Sequence, residues 1–270
     1  MKISDVLIAV LFGIVEGITE WLPISSSGHL IILNELISLN SSEEFFEFFL
    51  VAIQLGAMLA VPLAMRNSFS SLFFKKGERD NRFSNIMRIA IGIMPAAILG
   101  FLLDDIIEEK LFNYAVVALS LFIYGVVFLF VGGRREREYR IVSLDEIKTR
   151  DALLIGLFQA LSLIPGTSRS GATILGGVLM GCSRAAASEF SFFMAIPTMA
   201  GASLIKVLKF GLNFTGAELL ILLVGCVTAF VVSVVAIKTF IGYIKRHSFT
   251  AFGWYRIALG ALVALYFLIK

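Results

Sequence analysis

Two carboxylates, three serines and an imidazole fall within fourteen positions near the start of the chain, in Glu16-Gly-Ile-Thr-Glu20-Trp-Leu-Pro23-Ile-Ser25-Ser26-Ser27-Gly28-His29. The residues around them, 3–39, are otherwise mostly apolar. Glu16 and Glu20, four apart, share one face of a helix beside Gly13 and Gly17. Two close anions in a low dielectric need a shared proton, a cationic partner or a divalent metal. The plainer alternative is a pair bonded to nearby backbone. Ser25, Ser26 and Ser27 precede a short apolar helix, where one serine suffices as an N-cap. Three serines beside His29 and two carboxylates offer a nucleophile, a proton carrier and a helix N-terminus for an anion. A lone histidine is more often structural, but this one closes a Ser-Ser-Ser-Gly element.

A second polar cluster reads Pro165-Gly166-Thr167-Ser168-Arg169-Ser170-Gly171-Ala172-Thr173. Arg169 lies away from any expected membrane surface, whereas Arg184 and Arg256 are expected at helix ends. A planar guanidinium ringed by Ser, Thr and Gly backbone fits a phosphate. A salt bridge to Glu16 or Glu20 is the simpler reading and is compatible with the first. Together the clusters describe metal-assisted phosphoryl transfer inside a membrane.

The elements that must carry these groups are long and apolar. Of 270 residues, 58% are hydrophobic and 16% charged; a soluble domain carries about 25% charge. The blocks are continuous, without the alternation of a β-barrel. The chain is therefore expected to be an all-α polytopic membrane protein. Full spans are expected near residues 45–65, 86–103, 112–133, 185–210, 216–240 and 250–269. Residues 3–22 stop at Pro23, and 26–39 and 168–181 are too short to cross about 30 Å of hydrocarbon. Short interrupted segments at matching positions point to re-entrant helices around a binding site. No signal-peptide cleavage site interrupts the first segment, so it is expected to be retained. The net charge of +3 gives no pointer to nucleic acid. Cys182 and Cys226 lie far apart in apolar runs and are read as buried thiols.

A shift of 143 places Gly13 on Gly156, Glu16 on Gln159, and Ser25–Gly28 on Ser168–Gly171. This predicts two inverted-topology repeats, 1–133 and 151–270, each a re-entrant helical hairpin plus three transmembrane helices, with a cytoplasmic linker at 134–150. Loops 66–88, 133–150 and 238–249 would then share one side, with fifteen basic residues against five on the other. That side is cytoplasmic by the positive-inside rule, and both termini lie outside with the acidic loop 104–109. The tips Pro23–His29 and Pro165–Gly171 are expected to meet, so that Glu16, Glu20, Ser26, His29 and Arg169 line one cavity.

At these residues the sequence resembles the undecaprenyl-diphosphate phosphatase family of the bacitracin-resistance type. Glu16-x-x-x-Glu20 runs into Ser25–His29, and Pro165–Thr173 matches a Pro-Gly-x-Ser-Arg-Ser-x-x-Thr motif throughout. The resemblance implies hydrolysis of undecaprenyl diphosphate to the monophosphate and inorganic phosphate, dependent on Mg²⁺ or Ca²⁺. It implies a multi-pass protein of the bacterial inner membrane, with a periplasm-facing site, recycling a lipid carrier for peptidoglycan synthesis. By that likeness Glu16 and Glu20 hold the metal or activate the reaction, Ser26 is the nucleophile, and His29 is the base or acid. Arg169 binds the diphosphate with Gly166, Thr167, Ser168, Ser170, Thr173, Ser25 and Ser27. Whether Ser26, His29 or water attacks stays open, and the resemblance leaves room for a homodimer.

Two rival readings meet these residues. Acid-phosphatase-like lipid phosphatases need a histidine soon after the Ser-Arg element, but the next after Arg169 is His247. A secondary transporter or flippase would use the same broken helices to bind a polyprenyl phosphate lipid without cleaving it.

Overall fold

The computed structural model describes residues 3–74, 79–111, 113–132, 139–211 and 214–269. Several charges behind the orientation argument, Lys2, Lys75, Lys76, Arg134, Arg135, Arg137 and Lys270, lie outside the described residues. So does the first part of the 134–150 linker.

The described chain is mostly helical, with an isolated bridge between Ile141 and Cys182. A first helical pair, α1 (Ile3–Thr19) and α2 (Ser26–Leu36), leads into α3 (Glu43–Met58) and the short α4 (Ala60–Ala64). Next come α5 (Arg66–Phe74), α6 (Arg79–Ile106) and α7 (Tyr114–Gly132). A second pair, α8 (Thr149–Ala160) and α9 (Arg169–Leu179), precedes α10 (Arg184–Phe210), α11 (Gly216–Ile244) and α12 (Thr250–Ile269). Among the described residues six helices are long and apolar enough to cross a membrane: Glu43–Ala64, Phe83–Leu103, Tyr114–Gly132, Arg184–Leu208, Gly216–Ile244 and Thr250–Ile269. Large side chains on them face outward, such as Phe101 at 83% and Phe130 at 82% exposure. An apolar outer surface of this kind suits lipid rather than water. With 11 residues each, α2 and α9 reach only about 16 Å and cannot cross.

Two expectations about loops need correcting. Most of 66–88 is helix, in α5 and the start of α6. The acidic stretch 104–109 continues α6 to Ile106 and then forms a π-helical turn, Ile107–Leu111. Neither Pro nor Gly follows Gly100 before residue 112, so the backbone keeps its helical bonds past the apolar limit. The linker's described part docks on the turn after α9. Arg140 and Ile141 donate their N–H groups to Gly181 O, and Arg140 pairs with Asp151 at 2.6 Å. Cys182, buried in that turn, has its thiol pushed up to about 12 by desolvation.

Helix pairing crosses between the halves of the chain. α1 packs along α11, and α8 packs along α6, while α7 and α12 pack on each other. Glycines make these crossings close. A Cβ at Gly13 would sit 2.7 Å from Gly225 O, and one at Gly17 would sit 2.8 Å from Ala229 O. At the other crossing, Gly156 meets the backbone of Gly92 just as tightly. Small residues let helix backbones approach where no hydrophobic effect drives association.

Candidate active site

Both short hairpins turn with the same local geometry. α1 ends at Thr19, and one further helical bond, Glu20 N–H to Glu16 O at 3.0 Å, carries the chain to the turn. Ser25 then adopts φ 73° and caps α2, its Oγ accepting from Gly28 N at 3.3 Å. In the second hairpin Ser168 adopts φ 72° and caps α9, accepting from Gly171 N at 3.1 Å. The Oγ atoms of Ser25 and Ser27 lie 3.2 Å apart, those of Ser168 and Ser170 3.1 Å apart. Among the described residues these are the only non-glycine positions with positive φ. Each costs about 1–3 kcal/mol, which persists only where neighbours hold it.

The tips meet at Glu20. Ser26 donates its hydroxyl to Glu20 Oε2 at 2.6 Å. Arg169 donates to Glu20 Oε1 through Nη2 at 3.2 Å and Nε at 3.4 Å. The Ser170 hydroxyl faces the carbonyls of Glu20 and Leu22 at 3.0 and 3.1 Å, stitching the second tip to the first. The salt bridge and the shared cluster are therefore one arrangement, because a single carboxylate holds both the serine and the arginine.

Arg169 is braced from behind. Its Nη1 donates to Ser191 O at 2.9 Å, and its guanidinium lies over the Trp21 ring at 5.9 Å. Thr173, fully buried, donates back to Arg169 O at 2.8 Å and sits beside Ser191 Oγ. Its hydroxyl is thus spent on the start of α9. Ser191 lies outside both polar clusters, between Ser188-Glu189 and the apolar run that follows, and sequence reasoning missed it.

Glu16 is fully buried one turn before Glu20, and neither of its carboxylate oxygens has a hydrogen-bond partner. Two unsatisfied carboxyl oxygens beside a second carboxylate are, once deprotonated, a hard donor pair, which fits Mg²⁺ or Ca²⁺. No group of three or more His, Cys, Asp or Glu side chains lies together among the described residues. A cation here would draw its remaining ligands from water and from phosphate oxygens, as Mg²⁺ commonly does.

His29 stands at the edge of the cluster. Nδ1 lies 2.7 Å from Ser25 O and Nε2 2.7 Å from the Tyr255 hydroxyl. The carbonyl accepts from Nδ1–H, so in the neutral ring Nε2 accepts from Tyr255. Neither nitrogen bonds Ser26 or a carboxylate. Thr167 is buried beside the Tyr124 hydroxyl, and Gly166 turns with φ 87° against Val117 O. A groove of about 470 Å³ opens between α1 and α12, lined mainly by Val15, Ile18, Leu22, Ile24 and Phe252, with His29 and Tyr255 at its wall.

One arginine was misplaced by sequence. Arg256 was expected at a helix end, but it is the seventh residue of α12, fully buried, and donates to main-chain carbonyls of both tips.

Fold and site together define a polytopic α-helical membrane protein with a carboxylate–serine–arginine cluster built from two short hairpins. Residues 9–262 match the family model of the bacitracin resistance protein BacA, and the chain belongs to that family. It is 50% identical over 267 residues to an undecaprenyl-diphosphatase of Acetivibrio thermocellus, covering 98% of both chains. It is also 50% identical to an undecaprenyl-diphosphatase of Enterococcus faecalis, over 97% of this chain and 96% of that one. A third undecaprenyl-diphosphatase, from Desulfitobacterium hafniense, is 49% identical over 271 residues, 99% of this chain and 98% of that one.

Proposed function

We propose that this protein hydrolyses undecaprenyl diphosphate to undecaprenyl phosphate and inorganic phosphate, returning the lipid carrier to cell-wall synthesis and conferring bacitracin resistance. The observation that carries the reading is the Ser26 hydroxyl bonded to Glu20 while Arg169 holds the same carboxylate. A transporter would need the charges but not a hydroxyl aimed at a carboxylate base.

In this reading Ser26 Oγ attacks the terminal phosphorus as the bond to the bridging oxygen breaks. Its proton passes to Glu20, and the prenyl phosphate leaves. Water then attacks the phosphoserine phosphorus as its bond to Ser26 Oγ breaks; Glu20 returns its proton to Oγ, and both protons of the water stay on the released phosphate. Arg169 exchanges part of its bond to Glu20 for the diphosphate oxygens, steadied by Ser191. Capped by Ser25 and Ser168, the N-termini of α2 and α9 offer N–H groups and positive dipole ends to the diphosphate. Ser27, Ser168, Ser170, Thr167 and Gly166 shape its cradle, with Thr173 supporting from beneath. Glu16 and Glu20 would hold a divalent cation, which supplies charge neutralisation to the phosphate oxygens when bound. His29 acts through Ser25, fixing the carbonyl of the residue before Ser26. The apolar groove beside it suits the isoprenoid chain.

The two halves are read as inverted repeats in one membrane domain. That reading is supported by the matched serine caps and by the crossed pairing of α1 with α11 and α8 with α6. With the basic loops cytoplasmic, the termini and the site's opening lie on the periplasmic side. The decisive assay is phosphate release from a long-chain prenyl diphosphate by purified protein, with and without chelator, beside transport of the same lipid in sealed vesicles. Chelator-sensitive release supports the proposal; transport without release contradicts it.

A further inference from the structure

Arg256 belongs to neither tip but reaches both. Its Nη1 donates to Pro23 O at 3.1 Å in the first tip. Its Nη2 donates to Gly166 O and Thr167 O, each at 2.9 Å, in the second. The guanidinium lies over Tyr124 and Phe128 of α7, at 5.4 and 6.0 Å from their ring centroids. No carboxylate pairs with it among the described residues. A Cβ at Gly171 would come within 3.1 Å of Nη1, so the glycine opening α9 leaves room for the fork.

A buried cation without a counter-ion is a costly way to fill space, and an apolar side chain of similar volume would pack there more cheaply. What a guanidinium adds is geometry. Its planar fork can bond several carbonyls in fixed directions, which a methionine cannot do at all and a lysine does without the fork. Here the carbonyls belong to two hairpins about 140 residues apart in sequence, one bearing Glu20 and Ser26, the other bearing Arg169. The α7–α12 pair that carries the fork crosses at Gly125 and Gly253, where a Cβ on either would lie 2.9 Å from the other's carbonyl oxygen.

We propose that Arg256 is a positioning residue that sets the separation of the two tips, and through it the register of Ser26 and Glu20 against Arg169. The inference rests on the phosphatase reading. It assigns Arg256 no contact with the diphosphate, because both terminal nitrogens are engaged by main chain. Displacing reacting groups by about 1 Å costs up to 10²-fold in rate, so the loss should fall on kcat more than on KM.

The test compares Arg256→Lys, Arg256→Met and Arg256→Gly in detergent-purified full-length protein, with melting temperature and phosphate release measured on the same samples. Arg256→Lys should stay folded, keep KM within about threefold and lose about 10- to 100-fold in kcat. Millimolar guanidinium should restore part of the kcat of Arg256→Gly, and methylammonium should not. In an Arg169→Lys background the further cost of Arg256→Lys should shrink to about threefold or less, because both changes spoil one register. The proposal is overturned if Arg256→Lys and Arg256→Met keep kcat within threefold. It is also overturned if their losses multiply with that of Arg169→Lys, or if activity falls only in proportion to the folded fraction. Should Arg256→Met fail to fold, Arg256→Lys and the double variant decide alone. Failure of the phosphatase reading shows separately, as no phosphate release by the parent protein itself.

Discussion

Arg169 Nη2 lies 3.2 Å from Glu20 Oε1, an ion pair between two hairpin tips whose side chains are only 10% and 7% exposed. A nearly dry pair of this kind gives little net stability, since desolvation offsets much of the attraction. On the proposed function its value is readiness: an anionic substrate displaces part of the contact and finds the guanidinium already in place. Arg169→Lys keeps the charge but loses the fork that spans Glu20 and Ser191. Its kcat/KM for a prenyl diphosphate should fall about 100-fold or more. Activity within threefold of the parent, measured by phosphate release, would remove Arg169 from the site.

Ser191 should behave as Arg169's support. Ser191→Ala removes a hydroxyl beside Arg169 and Thr173 but leaves the main-chain carbonyl that Nη1 uses. The expected loss is about three- to tenfold in kcat/KM, seen in steady-state kinetics. A loss as large as that of Arg169→Lys would mean that Ser191 touches the reacting groups.

Glu16 presents two buried oxygens with no partner. In chelator, Glu16→Gln should melt a few degrees above the parent, because an unpaired buried carboxylate is destabilising. Adding Mg²⁺ or Ca²⁺ should raise the parent's melting temperature and leave the variant's unchanged. Equal cation-induced shifts in both proteins would place the cation elsewhere.

His29 reaches Ser25 O and Tyr255 but not Ser26. His29→Ala should therefore lower kcat by about 10- to 30-fold, and Tyr255→Phe by about threefold, in phosphate-release assays. A loss of 10³-fold or more in His29→Ala would instead make the imidazole a proton carrier in the reaction.

The spans and the two short hairpins were legible because length and apolarity alone decide whether a helix can cross. Both tips were legible because polar groups in an apolar run have few reasons to be there. Arg256 was not, for a physical reason: Trp254-Tyr255-Arg256 looks like the aromatic and basic belt at a membrane interface. Its burial depends on carbonyls supplied by Pro23, Gly166 and Thr167, which no local pattern announces. A basic residue seven positions into an apolar helix was the available signal. Ser191 had none. The stretch 104–109 was read as a loop because charge density marks the edge of the bilayer, and says nothing about whether the helix stops there. The match of Gly13 with Gly156 was read only as a sign of repetition; that each sits at a close crossing with a helix of the other half depends on the tertiary pairing.

The contact on which the account turns is the 2.6 Å bond from Ser26 to Glu20. The measurement is the rate of phosphate release by Ser26→Ala, Glu20→Gln and the double variant, each verified as folded by its melting curve. If hydroxyl and carboxylate act as one unit, each single change lowers kcat by about 10³-fold or more, and the double variant is hardly slower than either. Retained activity in Ser26→Ala, or losses that simply multiply in the double variant, would contradict it.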